Sequence, residues 1–368
     1  MKKLGGILAL SLAAVVACDP GDLPPGDPTG ALGFVVRPGA TQYPSPEGSV
    51  SGYEGLMTLV PVGDCVLGFG IYRAGNSARV PATWLGTDGC TRLELDSVPD
   101  GGPGQAATAF PATAAVPGPD GSVIGLDQLF YRRDRSGEVV GLFRPELDRK
   151  AVALVRAGRN LVGVGTWEIP GGDRSEPVAW VSGDEGRTAR EIGLPHDVPG
   201  HWSPRAIAAE GDQVLVAGSS GSDIRVWASS DAGETWTVSA LQVRASEPWI
   251  GTVLRAGGKW LLAGASAAGP MVVTGEPGDW KLEDPAALGE GRIMGGTVDK
   301  AGKPVLIGDR IEQDRTGSSR PCSVVWVLDA GGWQRGELGC PRDVVSAAVS
   351  LQDGRVLLAS SRDLWIRP

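Results

Sequence analysis

Histidine is nearly absent from this chain: among 368 residues only His196 and His201 occur. With two imidazoles and no Cys-x-x-Cys, the common zinc-ligand spacings cannot be assembled, and no metal site is expected. No His-Glu-x-x-His and no Gly-x-Ser-x-Gly is present, which removes two familiar hydrolytic schemes. The Asp-x-Asp-x-Asp-Gly pattern of a calcium loop is missing as well. No cofactor is implied. Basic runs are also lacking. The densest cationic spot, Arg132-Arg133-Asp134-Arg135, is broken by an Asp and followed by Ser-Gly, as in a solvated loop. With a formal charge of −9, the chain is not expected to bind nucleic acid. Nothing reads as a long amphipathic helix, and the apolar stretch Leu4–Ala17 is too short to span a bilayer.

What the chain has in excess is turn residues. Fifty-six Gly and 28 Pro fit an all-β fold dense in hairpins. Residues 229–236 read Ser-Ser-Asp-Ala-Gly-Glu-Thr-Trp. Ser229 and Asp231 carry short polar side chains able to bond nearby amides, and Gly233 supplies a conformation that a Cβ penalises. Thr235 and Trp236 then suit the start of a strand. Residues 182–188 repeat the pattern with Ser182, Asp184 and Gly186, Ala189 standing where Trp would be. Degenerate forms occur at Thr274–Trp280, Asp329–Trp333 and Thr87–Thr91. A Trp lies two residues before the Ser of both good copies, Trp180 and Trp227, with Trp84 and Trp326 in similar places. An apolar run ending near Gly precedes each turn: Val66–Gly70, Val162–Gly165, Val214–Gly218, Leu261–Gly264 and Val305–Gly308.

The pattern Ser-x-Asp-x-Gly-x-Thr-Trp resembles the Asp box of sialidases and of many non-enzymatic β-propellers. The repeat units begin near Tyr53, Gln105, Lys150, Ser203, Trp249, Ile293 and Val344, a spacing of about 40–50 residues, which suits four-stranded blades. The expected fold is therefore a seven-bladed β-propeller of antiparallel blades, with six blades as the alternative. The seventh unit supplies only three strands, and Gly33–Val36 is expected to close the ring as its outer strand.

Lys2 and Lys3 precede Leu4–Ala17, and Val15-Val16-Ala17-Cys18 resembles a bacterial lipobox. That resemblance implies a signal peptide over 1–17, a lipidated Cys18, a Pro/Gly/Asp-rich tether over 18–30 and one propeller domain over 31–368. It implies an extracytoplasmic, membrane-anchored lipoprotein, periplasmic or at the cell surface; a monomer is expected. The alternative is an ordinary signal peptide with Cys18 as a stray thiol. Four cysteines remain, and folding the repeats pairs Cys65 with Cys90 and Cys322 with Cys340, metal ligation being the alternative.

The sialidase resemblance implies an arginine cluster for a substrate carboxylate and a late Tyr nucleophile. Here Phe34-Val-Val-Arg37-Pro38 lacks the Ile of the Arg-Ile-Pro motif, Phe143-Arg144-Pro145 lies far along the chain, and no Tyr follows Tyr131. No catalytic residue is assigned. The expected role is a non-catalytic platform for a protein or cell-envelope glycan, as in the photosystem-assembly and sortilin-like propellers that share this sequence style. The alternative is a divergent exo-glycosidase of sialidase type. Ligands are expected on the face opposite the boxes. The richest loop there is Pro195–Arg205, with His196, Asp197, His201, Trp202 and Arg205. It reads either as a ligand-contacting loop with a Trp platform or as a Pro-braced connector whose Trp packs on the next blade. The repeat tryptophans (Trp180, Trp227, Trp236, Trp280, Trp326 and Trp333) are expected to be blade packing. Long second-to-third loops at Trp167–Pro177 and Asp309–Arg320 are expected to add walls.

Overall fold

The computed structural model describes residues 31–42, 55–73, 79–97, 114–126, 130–146, 148–169, 175–196, 201–220, 223–241, 246–313, 317–340 and 344–368. The signal-like segment 1–17, Cys18 and the tether lie outside the described residues. Seven four-stranded antiparallel sheets are formed, and seven rather than six blades complete the ring. Their first strands are Gly55–Val62, Ala114–Pro117, Arg149–Ala157, Ser203–Glu210, Trp249–Ala256, Arg292–Val298 and Ala347–Ser350, for blades I to VII. Each first strand packs against the first strands of both neighbours, blade VII against blade I included. The seven therefore line a central channel. Among the described residues no helix is long and apolar enough to cross a membrane.

The apolar runs become second strands because both of their faces are covered. Val214, Leu215, Val216 and Ala217 are all buried, alternate residues serving the layers towards the two neighbouring blades. Continuous rather than alternating hydrophobicity is the mark of a strand sandwiched in this way. The glycine ending each run has a steric reason. In five blades the first strand carries one extra residue, a β-bulge, opposite this point. A Cβ on Gly218 would lie 2.4 Å from the Ser203 carbonyl oxygen, and one on Gly264 1.8 Å from that of Trp249. Only glycine leaves room for the bulged strand to pass.

Closure is by the N-terminal strand. Val35–Arg37 pairs antiparallel with Leu364–Arg367, Val36 opposite Trp365, and becomes the outer strand of blade VII. The sheet edge that an open array would expose is thereby paired.

Both good copies of the motif lock their own turns. In blade IV Asp231 Oδ1 accepts from Ser229 Oγ (2.8 Å) and the Thr235 amide (2.9 Å), while Oδ2 accepts from Thr235 Oγ1 (2.6 Å). Ser229 Oγ accepts the Gly233 amide at 2.9 Å. Asp184 does the same with Ser182 and Thr188 in blade III. Each box sits over the preceding blade: Asn160 Nδ2 donates to the Ala232 carbonyl, and Gly186 lies against Phe130. The degenerate copies do form third-to-fourth turns, but without this lattice. Glu276 faces Asp279, and Asp329 faces Gly332, across tight two-residue hairpins.

The third-strand tryptophans fix the connectors. Trp84, Trp227 and Trp326 are fully buried, and their Nε1 groups donate to the carbonyls of Gln42, Pro195 and Leu288, each in the segment entering that Trp's own blade. Trp180, equally buried, donates to Glu191 instead.

Candidate functional site

Strand direction puts the box turns on one face and the blade-to-blade connectors on the other. On the connector face, the loop singled out from sequence is mostly a brace. Trp202 is 1 % exposed, packed edge-on to Trp227 (centroids 6.4 Å apart) and under the Arg225 guanidinium at 4.8 Å. Its ring is therefore part of the interior, as in the reading of a braced connector whose Trp packs on the next blade. The cause is the neighbouring repeat Trp, which offers an apolar wall that the connector can cover. His201 is exposed and forms a parallel bridge with Ser175. His196 is exposed, its Nδ1 3.3 Å from the Leu194 carbonyl. Asp197 lies outside the described residues.

Arg205 is different. It is the bulge residue of blade IV, exposed, and makes no hydrogen bond or ion pair among the described residues. The equivalent bulge residues are Met57 in blade I, Val152 in III, Gly251 in V and Met294 in VI. They occupy the channel-lining strands towards the connector face and so surround the mouth of the channel. Met57 is 47 % exposed and Met294 44 %. Between them stands blade VII, whose Ser346 Oγ donates to the Leu56 carbonyl at 2.6 Å and holds blades VII and I together beside Met57.

Blade VI extends this surface. Its second and third strands, Pro304–Gln313 and Ser319–Asp329, continue as a ladder up to Gln313 opposite Ser319. The wall expected as a loop at Asp309–Arg320 is thus largely an ordered hairpin. Ile311 lies three residues beyond the bulge-facing Gly308, about 10 Å higher at strand rise, and is 55 % exposed. The hairpin is clamped at its base. Cys322, opposite Arg310, is bonded to Cys340 just past the outer strand; Cys65–Cys90 similarly ties blade I. Both predicted pairings are present. Glu312 Oε2 lies 3.1 Å from each sulfur of the hairpin clamp, but those sulfurs are joined to one another and are not metal ligands.

Ion pairs rim the apolar residues. Arg292 grips the buried Asp309 through Nε (2.9 Å) and Nη2 (2.7 Å), and this bond raises the guanidinium pKa further above its ordinary value. Arg310 and Arg335 both meet Glu337, at 2.9 and 2.8 Å. The arrangement has exposed apolar side chains and paired polar ones near them. No large exposed hydrophobic side chain among the described residues is aromatic: they are Val35, Met57, Leu85, Val140, Leu282, Met294 and Ile311. Arg37 stands on the outer strand of blade VII, at the perimeter of the ring rather than at the channel.

Sequence reading missed Met57, Met294 and Ile311. A signal for the first two was available: the bulge residue sits thirteen or fourteen positions before the glycine that accommodates it, as Met57 does before Gly70 and Met294 before Gly308.

No family model and no curated protein matches the sequence. Similar solved structures include a streptogramin B lyase, 14 % identical with a TM-score of 0.58, over 90 % of this chain and 97 % of that one. YCF48 bound to a D1 peptide is 13 % identical with a TM-score of 0.55, over 91 % and 95 %. The Pan2 WD40 domain of Neurospora crassa is 13 % identical with a TM-score of 0.56, over 90 % and 94 %. At these identities the likeness is one of fold, and it agrees with the seven sheets in making this chain a β-propeller.

Proposed function

We propose that this protein is a non-catalytic, extracytoplasmic binding platform that takes a polypeptide segment on its connector face. The observation that carries the reading is the exposure of Met57, Met294 and Ile311 around one sector of the channel mouth, blades VI, VII and I. Thioether side chains adapt to varied apolar partners, and the clamped hairpin presents Ile311 on a pre-organised support. Arg205, at the same mouth and without a partner among the described residues, adds a donor for a backbone carbonyl or carboxylate. A glycan would call for exposed aromatic faces, whereas Trp84, Trp180, Trp202, Trp227 and Trp326 are buried. A propeller of similar architecture, YCF48, holds a D1 peptide, so the fold accommodates such a ligand. The perimeter position of Arg37 does not support the exo-glycosidase alternative.

The two disulfides support an oxidising compartment. Anchoring through lipid on Cys18 belongs to the same proposal and rests on the lipobox-like sequence. Co-purification from native envelope tests the binding reading. A partner retained by the wild type should be lost by Met57→Asp/Met294→Asp/Ile311→Asp and kept by Leu85→Asp, which alters an equally exposed residue of an outward-lying strand. Retention by both variants would refute the assignment of this face.

A further inference from the structure

The box face carries a cavity where the ring is closed. In blades III and IV the box turn fills the space over the preceding blade. Blade VII has no such turn, because its third strand ends at Arg367 and its fourth enters from Leu32. A cavity of about 510 Å³ stands in that place, bordered by Leu32, Asp299, Lys300, Lys303, Asp329 and Arg367.

Its carboxylates are already engaged. Asp299 Oδ1 accepts the amides of Ala301 and Lys303, both at 2.9 Å, and Oδ2 accepts from Arg367 Nη2 at 2.9 Å. Asp329 Oδ1 accepts the Gly331 amide at 2.7 Å. Asp353, on the adjoining turn, is held by Arg355 at 2.7 Å. Lys300 and Lys303 are exposed and make no hydrogen bond or direct ion pair among the described residues, the Lys300 charge acting at longer range on Asp353. Arg367 is steadied over the Phe34 ring at 5.1 Å, with donors beyond the one given to Asp299. Three cationic side chains thus border the cavity beside the engaged carboxylates of Asp299 and Asp329.

We propose that this cavity binds a phosphoryl group carried on a small polar moiety, such as a sugar phosphate or a glycerophosphate. Two ammonium groups and a guanidinium give donors from several directions, which suits the oxygens of a phosphate better than the single fork of a carboxylate. The volume lies in the range of small-molecule sites and exceeds what a bare phosphate needs. The ligand is either a free phosphate ester or the headgroup of a phospholipid. This site is on the opposite face from the polypeptide surface and does not depend on it.

Calorimetric titration of the full-length Cys18→Ala chain, which carries no acyl anchor, with glycerol phosphate, and its flotation with phosphatidylcholine vesicles with or without phosphatidylglycerol, test the site. Binding to glycerol phosphate should be saturable and weaken roughly tenfold or more in Lys300→Gln/Lys303→Gln. It should be unchanged in Leu85→Asp. Selective flotation with phosphatidylglycerol, lost in the double variant, assigns the lipid source; glycerol phosphate binding without flotation assigns the soluble one. Absence of both, or binding indifferent to the double variant at unchanged Tm, overturns the proposal.

Discussion

Replacing Asp231 by Ala removes the centre of the blade IV box while leaving every backbone atom in place. The carboxylate accepts three hydrogen bonds, from Ser229 Oγ, the Thr235 amide and Thr235 Oγ1. A single capping bond of this type contributes about 1 kcal/mol, and charge assistance adds to it, but the turn is open to solvent and that trims the sum. A loss of about 2 kcal/mol follows. Urea denaturation at constant m-value measures it. The pH dependence provides a second check. The Asp231 carboxyl lies below its ordinary range, first because of the Thr235 hydroxyl and then because of the Thr235 amide. A depressed folded pKa gives stability that is complete above the unfolded value of about 3.9 and lost as pH falls through the folded one. The gap between wild type and Asp231→Ala should hold from neutrality to about pH 5 and close below about pH 4. A gap under about 0.5 kcal/mol at neutral pH, or one that persists in strong acid, contradicts the self-locking turn.

Gly218→Ala should destabilise by about 2 kcal/mol or more in the same urea assay, because its Cβ meets backbone rather than a movable side chain. Gly193→Ala, whose Cβ meets nothing within 4 Å, should stay near neutral. Replacing Cys322 and Cys340 together by Ala should cost about 3 kcal/mol, the loop-closure value for a separation of 18 residues. Limited proteolysis of that variant should cut the blade VI hairpin before the rest of the ring. A fluorogenic sialoside should not be turned over, and Arg37→Ala should leave the background rate unchanged; clear turnover lost in the mutant favours the exo-glycosidase.

The ring was legible because its devices are local. The box at 229–236 needs four side chains within eight residues, and the Gly-ended runs carry their own steric signature at Gly218 and Gly264. Closure was legible from the arithmetic of strands, blade VII lacking one that the segment before Arg37 supplies. The site was less so. In sequence the 195–205 connector reads as a ligand loop or as a brace; Trp202 turns inward because burying its ring against Trp227 outweighs presenting it to water. Met57 and Met294 look like ordinary strand hydrophobics in sequence. Only the extra residue in the first strand takes them out of the inter-blade layers, and that depends on pairing with a strand more than ten residues away. The hairpin at Ile311 was hidden for a related reason: Arg310, Glu312 and Arg320 read as loop polarity, whereas they pair across a ladder.

Site-specific photocrosslinking puts the binding face to the most direct test. A photoreactive residue is placed in turn at Met57, Met294 and Ile311, and at Thr237 beside the blade IV box. Adducts to one polypeptide partner from the first three positions, and none from Thr237, are predicted. Adducts confined to Thr237 contradict the account.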